Sequence, residues 1–178
     1  MIIILTGLMG SGKSSTGKAL AKLLGYSFID LDKQIEATSG ISVAEIFSQH
    51  GEPYFRNLES ETLTEVLHNP NENIVLALGG GTFVASENIQ LCRQNSIVVW
   101  LNMSLSVIEN RLRSGINNRP LLKNTHVRET LEKLLDNRQS SYAQAHIEIK
   151  LDKNYPISYM AELILNTIND YTAGKLHG

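Results

Sequence analysis

A glycine-rich segment near the N-terminus has the residue types that bind polyphosphates. Residues 7–14 are Gly-Leu-Met-Gly-Ser-Gly-Lys-Ser, which matches the pattern Gly-x4-Gly-Lys-[Ser/Thr]. Glycines allow successive backbone N–H groups to turn inward around phosphate oxygens, and the next helix adds its N-terminal dipole. Lys13 would reach the β and γ phosphates, and Ser14 would ligate Mg²⁺. We therefore predict a nucleotide site formed by Gly10, Ser11, Gly12, Lys13, Ser14 and Ser15.

Asp30 and Asp32 lie at the end of the second apolar segment, 27–31, and could supply carboxylates to the same chemistry. If the strand continues through Asp32, both side chains lie on one face of it. Many kinases carry a metal-binding aspartate after the third apolar strand, but here the segment 73–78 runs straight into glycines. Asp30 is therefore predicted to hold Mg²⁺, and Asp32 to orient or deprotonate a substrate hydroxyl. The alternative is that Asp32 only caps a helix beginning at Lys33.

Arg56 and Arg138 each fall on the apolar side of a predicted amphipathic helix. Glu59 also lies on such a face, three residues after Arg56, so one interpretation is a local ion pair. The other is that Arg56 binds an anionic substrate. Arg138 has no acidic residue three or four positions away, so its partner must come from elsewhere in the fold or from a ligand. Two inward-facing arginines suit a bidentate grip on a carboxylate, and we predict that Arg56 and Arg138 bind the substrate.

Three consecutive glycines and a segment with little pattern complete the candidate site. Gly79, Gly80 and Gly81 are more glycines than a tight turn requires, and they would let a substrate approach the backbone closely. The segment around 113–125 is predicted to form a lid, because a kinase must exclude water from the phosphate it transfers. Within it, Arg119 would approach the γ phosphate; the alternative is an ordinary exposed loop with a solvated arginine.

Short apolar segments that alternate with amphipathic ones must position these residues. The periodicity predicts strands over 2–6, 27–31, 74–78, 97–101 and 147–151, and helices over 13–24, 53–68, 86–94, 105–113, 126–145 and 157–171. This alternation predicts a doubly wound α/β fold, a parallel sheet with helices on both faces. We expect one domain over 1–178, with a helical substrate-binding segment at about 32–60. Ligands of such sheets bind beyond the carboxyl ends of the strands, where the candidate residues would converge.

The composition excludes several classes of protein. The chain has 178 residues, of which 42% are hydrophobic and 19% charged, and this fits a globular domain rather than a disordered chain. Sixteen Lys and Arg against 18 Asp and Glu give a net charge of −2, without a broad basic surface for nucleic acid or membrane. The single cysteine, Cys92, forms neither an intrachain disulfide nor a metal cage. With no signal peptide or apolar span expected, we predict a cytoplasmic monomer.

In order and spacing, these motifs resemble those of the shikimate kinase family, small P-loop kinases of the nucleoside monophosphate kinase-like group. The resemblance covers nearly the whole chain and includes the segments 7–14, 28–32, 35–36, 51–52, 55–56 with Glu59, 79–81, 119–122, and Arg138 with Tyr142. It implies a five-stranded parallel sheet of order 2-3-1-4-5. It also implies ATP- and Mg²⁺-dependent phosphorylation of the 3-hydroxyl of shikimate, a step toward chorismate and the aromatic amino acids.

The resemblance assigns roles on the acceptor side of the site. Arg56 and Arg138 would grip the shikimate carboxylate, with Glu59 positioning Arg56, and the three glycines would line the pocket. Asp32 would contact the ring hydroxyls and act as the base. The alternatives are a gluconate-type or other sugar-acid kinase, a nucleoside monophosphate kinase, and a nucleotide-binding switch without phosphotransfer. ATP and shikimate are the expected partners, with no nucleic acid or membrane.

On the nucleotide side, the resemblance implies that Lys13 and Arg119 stabilise the transferring phosphoryl group. The family's adenine loop has an aspartate, then a small hydroxyl residue, and then a proline. Residues 152–156 here are Asp-Lys-Asn-Tyr-Pro, with a lysine where the family has the hydroxyl residue. The arginine that stacks on adenine is either Arg111 or Arg113, because loop lengths vary, and we predict Arg113.

Overall fold

The computed structural model of the chain describes residues 1–68, 73–113 and 127–174. Within these ranges the strands are β1 (Ile2–Thr6), β2 (Ser27–Asp30), β3 (Ile74–Ala77), β4 (Ile97–Met103) and β5 (Ile147–Leu151). The α-helices are α1 (Lys13–Leu24), α2 (Leu31–Ser39), α3 (Val43–Leu67), α4 (Ser86–Asn95), α5 (Leu105–Arg113), α6 (Val127–Tyr142) and α7 (Ile157–Thr172). A short 3-10 helix, Thr82–Val84, lies between β3 and α4. None of the described helices is long and apolar enough to cross a membrane.

The strands form one parallel sheet in the order β2-β3-β1-β4-β5, and this confirms the predicted topology. In the register of the sheet, Ile4 of β1 lies beside Leu76 of β3 and Val98 of β4. Every residue of β1 and β3 is buried, because neighbouring strands flank them and helices cover both faces of the sheet. The edge strand β5 instead alternates buried and exposed residues. Residues that follow β1, β2 and β3 meet at one edge of the sheet.

Two helices show how local signals set the boundaries. Helix α1 is capped at its C-terminus by Gly25, whose φ of 67° is left-handed and whose N–H donates to the carbonyls of Ala21 and Lys22. Helix α3 starts with a capping box in which Ser42 and Glu45 exchange hydrogen bonds. It is interrupted at Gly51, where φ is 80° and ψ is 173°, so two helical pieces follow each other across a kink. The second piece carries the charged residues that face the site.

The structure corrects the sequence analysis after the second strand. Strand β2 ends at Asp30 and not at Leu31, because α2 begins there. Asp30 itself is the helix cap: its Oδ1 accepts a hydrogen bond from the backbone N–H of Lys33 at 3.4 Å. The interpretation of Asp32 as the cap was therefore wrong, since Asp32 lies in the first turn of α2. The 3-10 helix after the glycines was not predicted.

Candidate active site

A cavity of about 710 Å³ opens at the edge of the sheet where β1, β2 and β3 end. Segments distant in sequence share its wall: the phosphate loop, the two aspartates, the triple glycine and the loop before α7. Its lining residues include Gly10, Gly12, Lys13, Ser14, Ser15, Asp30, Asp32, Gly79, Gly80, Arg111 and residues 154–157. The fold therefore brings most of the predicted nucleotide residues to one cavity together with Asp32, Gly79 and Gly80 of the predicted acceptor residues. Arg56 and Arg138 do not line this cavity, but they contact Gly81 and Gly80 beside it.

The phosphate loop has the conformation that its glycines predict. Gly12 precedes α1 with a left-handed φ of 98°, and no side-chain hydrogen bond caps the helix at this end, which is where a helix dipole favours an anion. Lys13 is buried, and its Nζ donates hydrogen bonds to the carbonyls of Gly7 and Leu8 at 2.8 and 2.9 Å. Its positive charge therefore lies beside the backbone of the phosphate loop, and Lys13 forms part of the cavity wall.

The loop serines differ in what they offer a ligand. Ser14 and Ser15 are exposed and line the cavity, as predicted for nucleotide contacts. Ser11 is fully buried, and among the described residues its hydroxyl has no hydrogen-bond partner. Its backbone N–H donates to the Leu8 carbonyl at 3.2 Å. Ser11 therefore shapes the loop from within.

Ser14 and Asp30 together present the oxygen donors that Mg²⁺ prefers. The Ser14 hydroxyl donates to Oδ2 of Asp30 at 2.5 Å, and both residues line the cavity. In the described part of the chain, no three His, Cys, Asp or Glu side chains cluster to hold a metal on their own. A hydroxyl and one carboxylate fit Mg²⁺, which commonly keeps several waters and completes its shell with phosphate oxygens.

The surroundings of Asp32 raise the pKa of its carboxyl group. Burial, and after it the neighbouring charges of Asp30, Glu59 and Glu36, raise its pKa from the ordinary value of 3.8 to about 6, although the charge of Lys13 acts in the opposite direction. A carboxylate with a pKa near the working pH is suited to take a proton from a hydroxyl, because it is ionised at pH 7 yet holds a proton better than an exposed aspartate. Asp32 therefore has the electrostatics of a general base.

Arg56 is held by two glutamates of its own helix. Its Nη1 lies 2.7 Å from Oε2 of Glu59, and its Nη2 lies 3.0 Å from Oε1 of Glu52. Burial would lower the pKa of Arg56, but the charge and hydrogen bonds of these glutamates outweigh it and raise that pKa. The local ion pair is thus confirmed. It also orients the guanidinium toward the glycines, since a Cβ on Gly81 would lie 2.7 Å from Nη1 of Arg56.

Arg138 contacts the triple glycine from helix α6, whereas Arg56 contacts it from α3. Its Nη1 donates to the Gly80 carbonyl at 2.9 Å, and the Tyr142 hydroxyl donates to the same oxygen at 2.5 Å. No carboxylate of the described chain lies within ion-pair distance of Arg138. A half-buried cation with only neutral partners favours a bound anion. Tyr142 is fully buried, and its hydroxyl also fixes this carbonyl.

The structure decides which of the two helix α5 arginines faces the cavity. Arg111 lines it, and its Nε and Nη2 donate to Oδ1 of Asn154 at 3.0 and 2.6 Å. Arg113 is exposed and pairs with Glu109 at 2.8 Å, away from the cavity. This placement favours Arg111 over the predicted Arg113. Arg119 and the rest of the predicted lid beyond Arg113 lie outside the described residues.

Two polar contacts of the site come from residues that the sequence analysis did not single out. The Thr82 hydroxyl donates to Oε1 of Glu59 at 2.6 Å, and Asn154 accepts from Arg111. A hydroxyl residue directly after three glycines was the available signal for Thr82. That signal does not show that the 3-10 helix turns the hydroxyl back toward α3.

Comparison with known proteins gives one consistent result. A family model described as shikimate kinase matches residues 9–169. A shikimate kinase of Persephonella marina is 38% identical over 91% of this chain and 96% of its own, and one of Geobacter sulfurreducens is 44% identical over 83% and 80%. The structure of an Acinetobacter baumannii shikimate kinase in complex with shikimate superimposes with a TM-score of 0.87 at 34% identity, covering 96% of this chain and 93% of that one.

Proposed function

This chain belongs to the shikimate kinase family, and from that premise we propose that it transfers the γ-phosphoryl group of ATP to the 3-hydroxyl of shikimate. One observation carries the assignment to these residues: Asp32 lies beside Gly79 in the cavity that contains the phosphate loop, and Arg138 donates to the carbonyl of the next glycine, Gly80. A general base and a cation that has no carboxylate partner among the described residues stand beside glycines, which carry no side chains. This arrangement suits a small carboxylic acid with a reactive hydroxyl. The reaction would be a step toward chorismate and the aromatic amino acids.

The chain's own residues account for acceptor binding. Arg56 and Arg138 would hold the acid's carboxylate, and Gly79, Gly80 and Gly81 would let the ring approach the backbone. Held in this way, the acceptor presents its hydroxyl to Asp32. Positioning of this kind supplies much of the rate of a phosphoryl transfer, because the phosphorus itself needs little further activation.

The transfer step then moves one proton and one phosphoryl group. Asp32 takes the proton of the hydroxyl, the oxygen bonds to the γ phosphorus, and the bond from that phosphorus to the bridging oxygen of ADP breaks. Lys13 would leave the two loop carbonyls to contact the β and γ phosphates, and we propose Arg119 as a second cation on the transferring group. The proton ends on Asp32, and the negative charge from the broken phosphorus–oxygen bond ends on ADP.

The nucleotide would be held by the phosphate loop and by α5. Ser14 and Asp30 would hold Mg²⁺, which when bound neutralises phosphate charge. The N–H groups at the start of α1 would bind phosphate oxygens. We assign the adenine contact to Arg111 rather than Arg113, because Arg111 lines the cavity and Asn154 orients its guanidinium plane. We also propose that the protein is cytoplasmic, in line with its ATP substrate and its single unpaired cysteine, and that it acts as a monomer.

The direct test is ADP release by the purified protein with ATP and Mg²⁺, with and without shikimate, and with a chelator as control. We expect release that depends strongly on shikimate and that the chelator abolishes, since Mg²⁺ is required to bind and neutralise the polyphosphate. Release that ignores shikimate but responds to gluconate or another hydroxy acid would instead show a different acceptor. Slow hydrolysis unaffected by any acceptor would favour the nucleotide switch.

Substituting alanine for Gly79 should damage acceptor use far more than nucleotide binding. A Cβ there would lie 2.7 Å from Oδ1 of Asp32 and 3.0 Å from Oε1 of Glu59, so both carboxylates must move. A displacement of about 1 Å can cost about 100-fold in rate, and we expect a loss of that order in kcat/KM for shikimate. Gly80→Ala gives a graded comparison: its Cβ would lie 3.3 Å from Nη1 of Arg138 and further from every other atom, so we expect a smaller loss than for Gly79→Ala. Equal losses in the two variants would contradict this account of Gly79.

A further inference from the structure

A chain of short hydrogen bonds extends from the acceptor site into the buried part of the protein. Arg56 donates to Oε2 of Glu59 at 2.7 Å, and Thr82 donates to Oε1 of the same carboxylate at 2.6 Å. Glu59 is 1% exposed and Thr82 is fully buried. Each oxygen of the buried carboxylate therefore has its own donor, and only one of these donors belongs to the substrate site.

The backbone of Thr82 is fixed at both of its polar atoms. Its N–H donates to the Gly79 carbonyl at 3.3 Å, which closes the turn of the triple glycine. Its carbonyl accepts from Nδ2 of Asn88 at 3.1 Å, and Asn88 is itself buried in α4. A threonine anchored in this way presents its hydroxyl in one direction, toward α3.

Glu59 needs that hydroxyl to keep its orientation. A buried carboxylate oxygen that lacks a donor is strongly unfavourable, so the side chain would turn to share its remaining partners. Gly79 limits the available room, because a Cβ there would be 3.0 Å from Oε1 of Glu59 and 3.1 Å from Oγ1 of Thr82. Any such turn would change the geometry of the Arg56 guanidinium, which lies against Gly81.

We infer that Thr82 is a positioning residue for acceptor binding: its hydroxyl locks Glu59, and Glu59 in turn aims Arg56 at the carboxylate of the substrate. The inference rests on the proposed function, since it takes Arg56 as part of the carboxylate grip. Thr82 does not touch the acceptor. Its contribution is the fixed direction of a guanidinium two hydrogen bonds away, and this affects acceptor affinity in the ground state and the transition state alike.

The experiment compares Thr82→Val, which replaces the hydroxyl by a methyl group, with Thr82→Ser, which keeps the donor. Thr6→Val is the matched control, because Thr6 is also fully buried while its hydroxyl has no hydrogen-bond partner among the described residues. The readouts are kcat, the separate KM values for shikimate and ATP, the Kd of shikimate by calorimetry, and Tm. If Thr82→Val does not fold, Thr82→Cys, a weaker donor, takes its place.

For Thr82→Val we expect KM and Kd for shikimate to rise about tenfold, as for the loss of one hydrogen bond to a charged group, with KM for ATP and kcat nearly unchanged. Thr82→Ser and Thr6→Val should match the parent protein. Three results would overturn this inference and leave the proposed function in place. They are an unchanged KM for shikimate, an equal rise in KM for ATP, and a Thr82→Ser variant as impaired as Thr82→Val. A parent protein without shikimate-dependent ADP release would overturn the proposed function, and this inference with it.

Discussion

Replacing Asp32 by asparagine is expected to slow phosphoryl transfer by at least about 100-fold while leaving ATP binding nearly intact. The amide has almost the shape of the carboxylate but cannot accept the hydroxyl proton, and a general base contributes about 100- to 10,000-fold. We expect kcat to fall by that factor, measured as shikimate-dependent ADP release, with the Kd of ATP within about twofold of the parent value. Asp136→Asn, the same change at an exposed position of α6, should have no effect.

The pH dependence of the parent enzyme tests the same assignment. Because the pKa of Asp32 is raised to about 6 and the base must be ionised to work, kcat/KM for shikimate should be near its maximum above about pH 7 and about half of that near pH 6. It should fall about tenfold per pH unit at lower pH. A profile that stays flat down to pH 5, or an Asp32→Asn enzyme that turns over at the parent rate, would contradict the role of Asp32.

Measuring the stability of the Asp32→Asn variant distinguishes the loss of a catalytic base from the loss of the folded structure. In the folded state the pKa of Asp32 is higher than in the unfolded chain, so the ionised carboxylate destabilises the folded protein above that pKa. Neutral asparagine should therefore keep or raise Tm at pH 7. A large fall in Tm would show that the substitution had damaged the structure instead of the chemistry.

Replacing Lys13 by methionine should lower kcat about 100- to 1,000-fold, the cost of removing one group that stabilises transition-state charge. The Lys13 ammonium is buried at the phosphate loop, where a positive charge acts in a poorly screened environment. Methionine keeps most of the apolar length of the side chain and removes the charge. The measurement is steady-state ADP release, with ATP binding followed by calorimetry.

Lys22→Met is the control for the Lys13 substitution, since Lys22 is an exposed lysine of the same helix. It should have the parent kcat. The Lys13 variant will also lose the hydrogen bonds to the carbonyls of Gly7 and Leu8, so its Tm is measured in parallel. Retention of kcat within tenfold by a folded Lys13→Met protein would rule out the proposed charge stabilisation.

The fold and the nucleotide site follow from local sequence patterns. Buried parallel strands require continuous apolar segments, amphipathic helices require a 3.6-residue period, and these two signals alternate along the chain. The phosphate loop is a contiguous motif, so its chemistry is visible in residues 7–14 alone. The pair of Arg56 and Glu59 is equally local, because residues three apart on a helix are neighbours in any tertiary structure.

The family resemblance placed the remaining residues in roles, but the sequence did not give their partners. Arg138 has no local counterion, and the sequence could not show that it donates to a carbonyl 58 residues away. Helix α5 carries two arginines in its last turn, and their rotation about the helix axis decides that Arg111 faces the cavity while Arg113 pairs with Glu109. Asp30 rather than Asp32 caps α2 because the strand stops one residue earlier than its apolar pattern suggests.

Thr82 shows most clearly which features the sequence determines and which depend on the tertiary structure. Its position after three glycines is plain in the sequence, but its hydroxyl meets Glu59 only because the 3-10 helix folds back under α3, and Asn88 of α4 holds its carbonyl. Local patterns specify strands, helices, caps and contiguous motifs, since each depends on residues a few positions apart. Contacts between distant segments depend on how several elements pack together, so the partners of Arg138, Arg111 and Thr82 were decided by the tertiary structure.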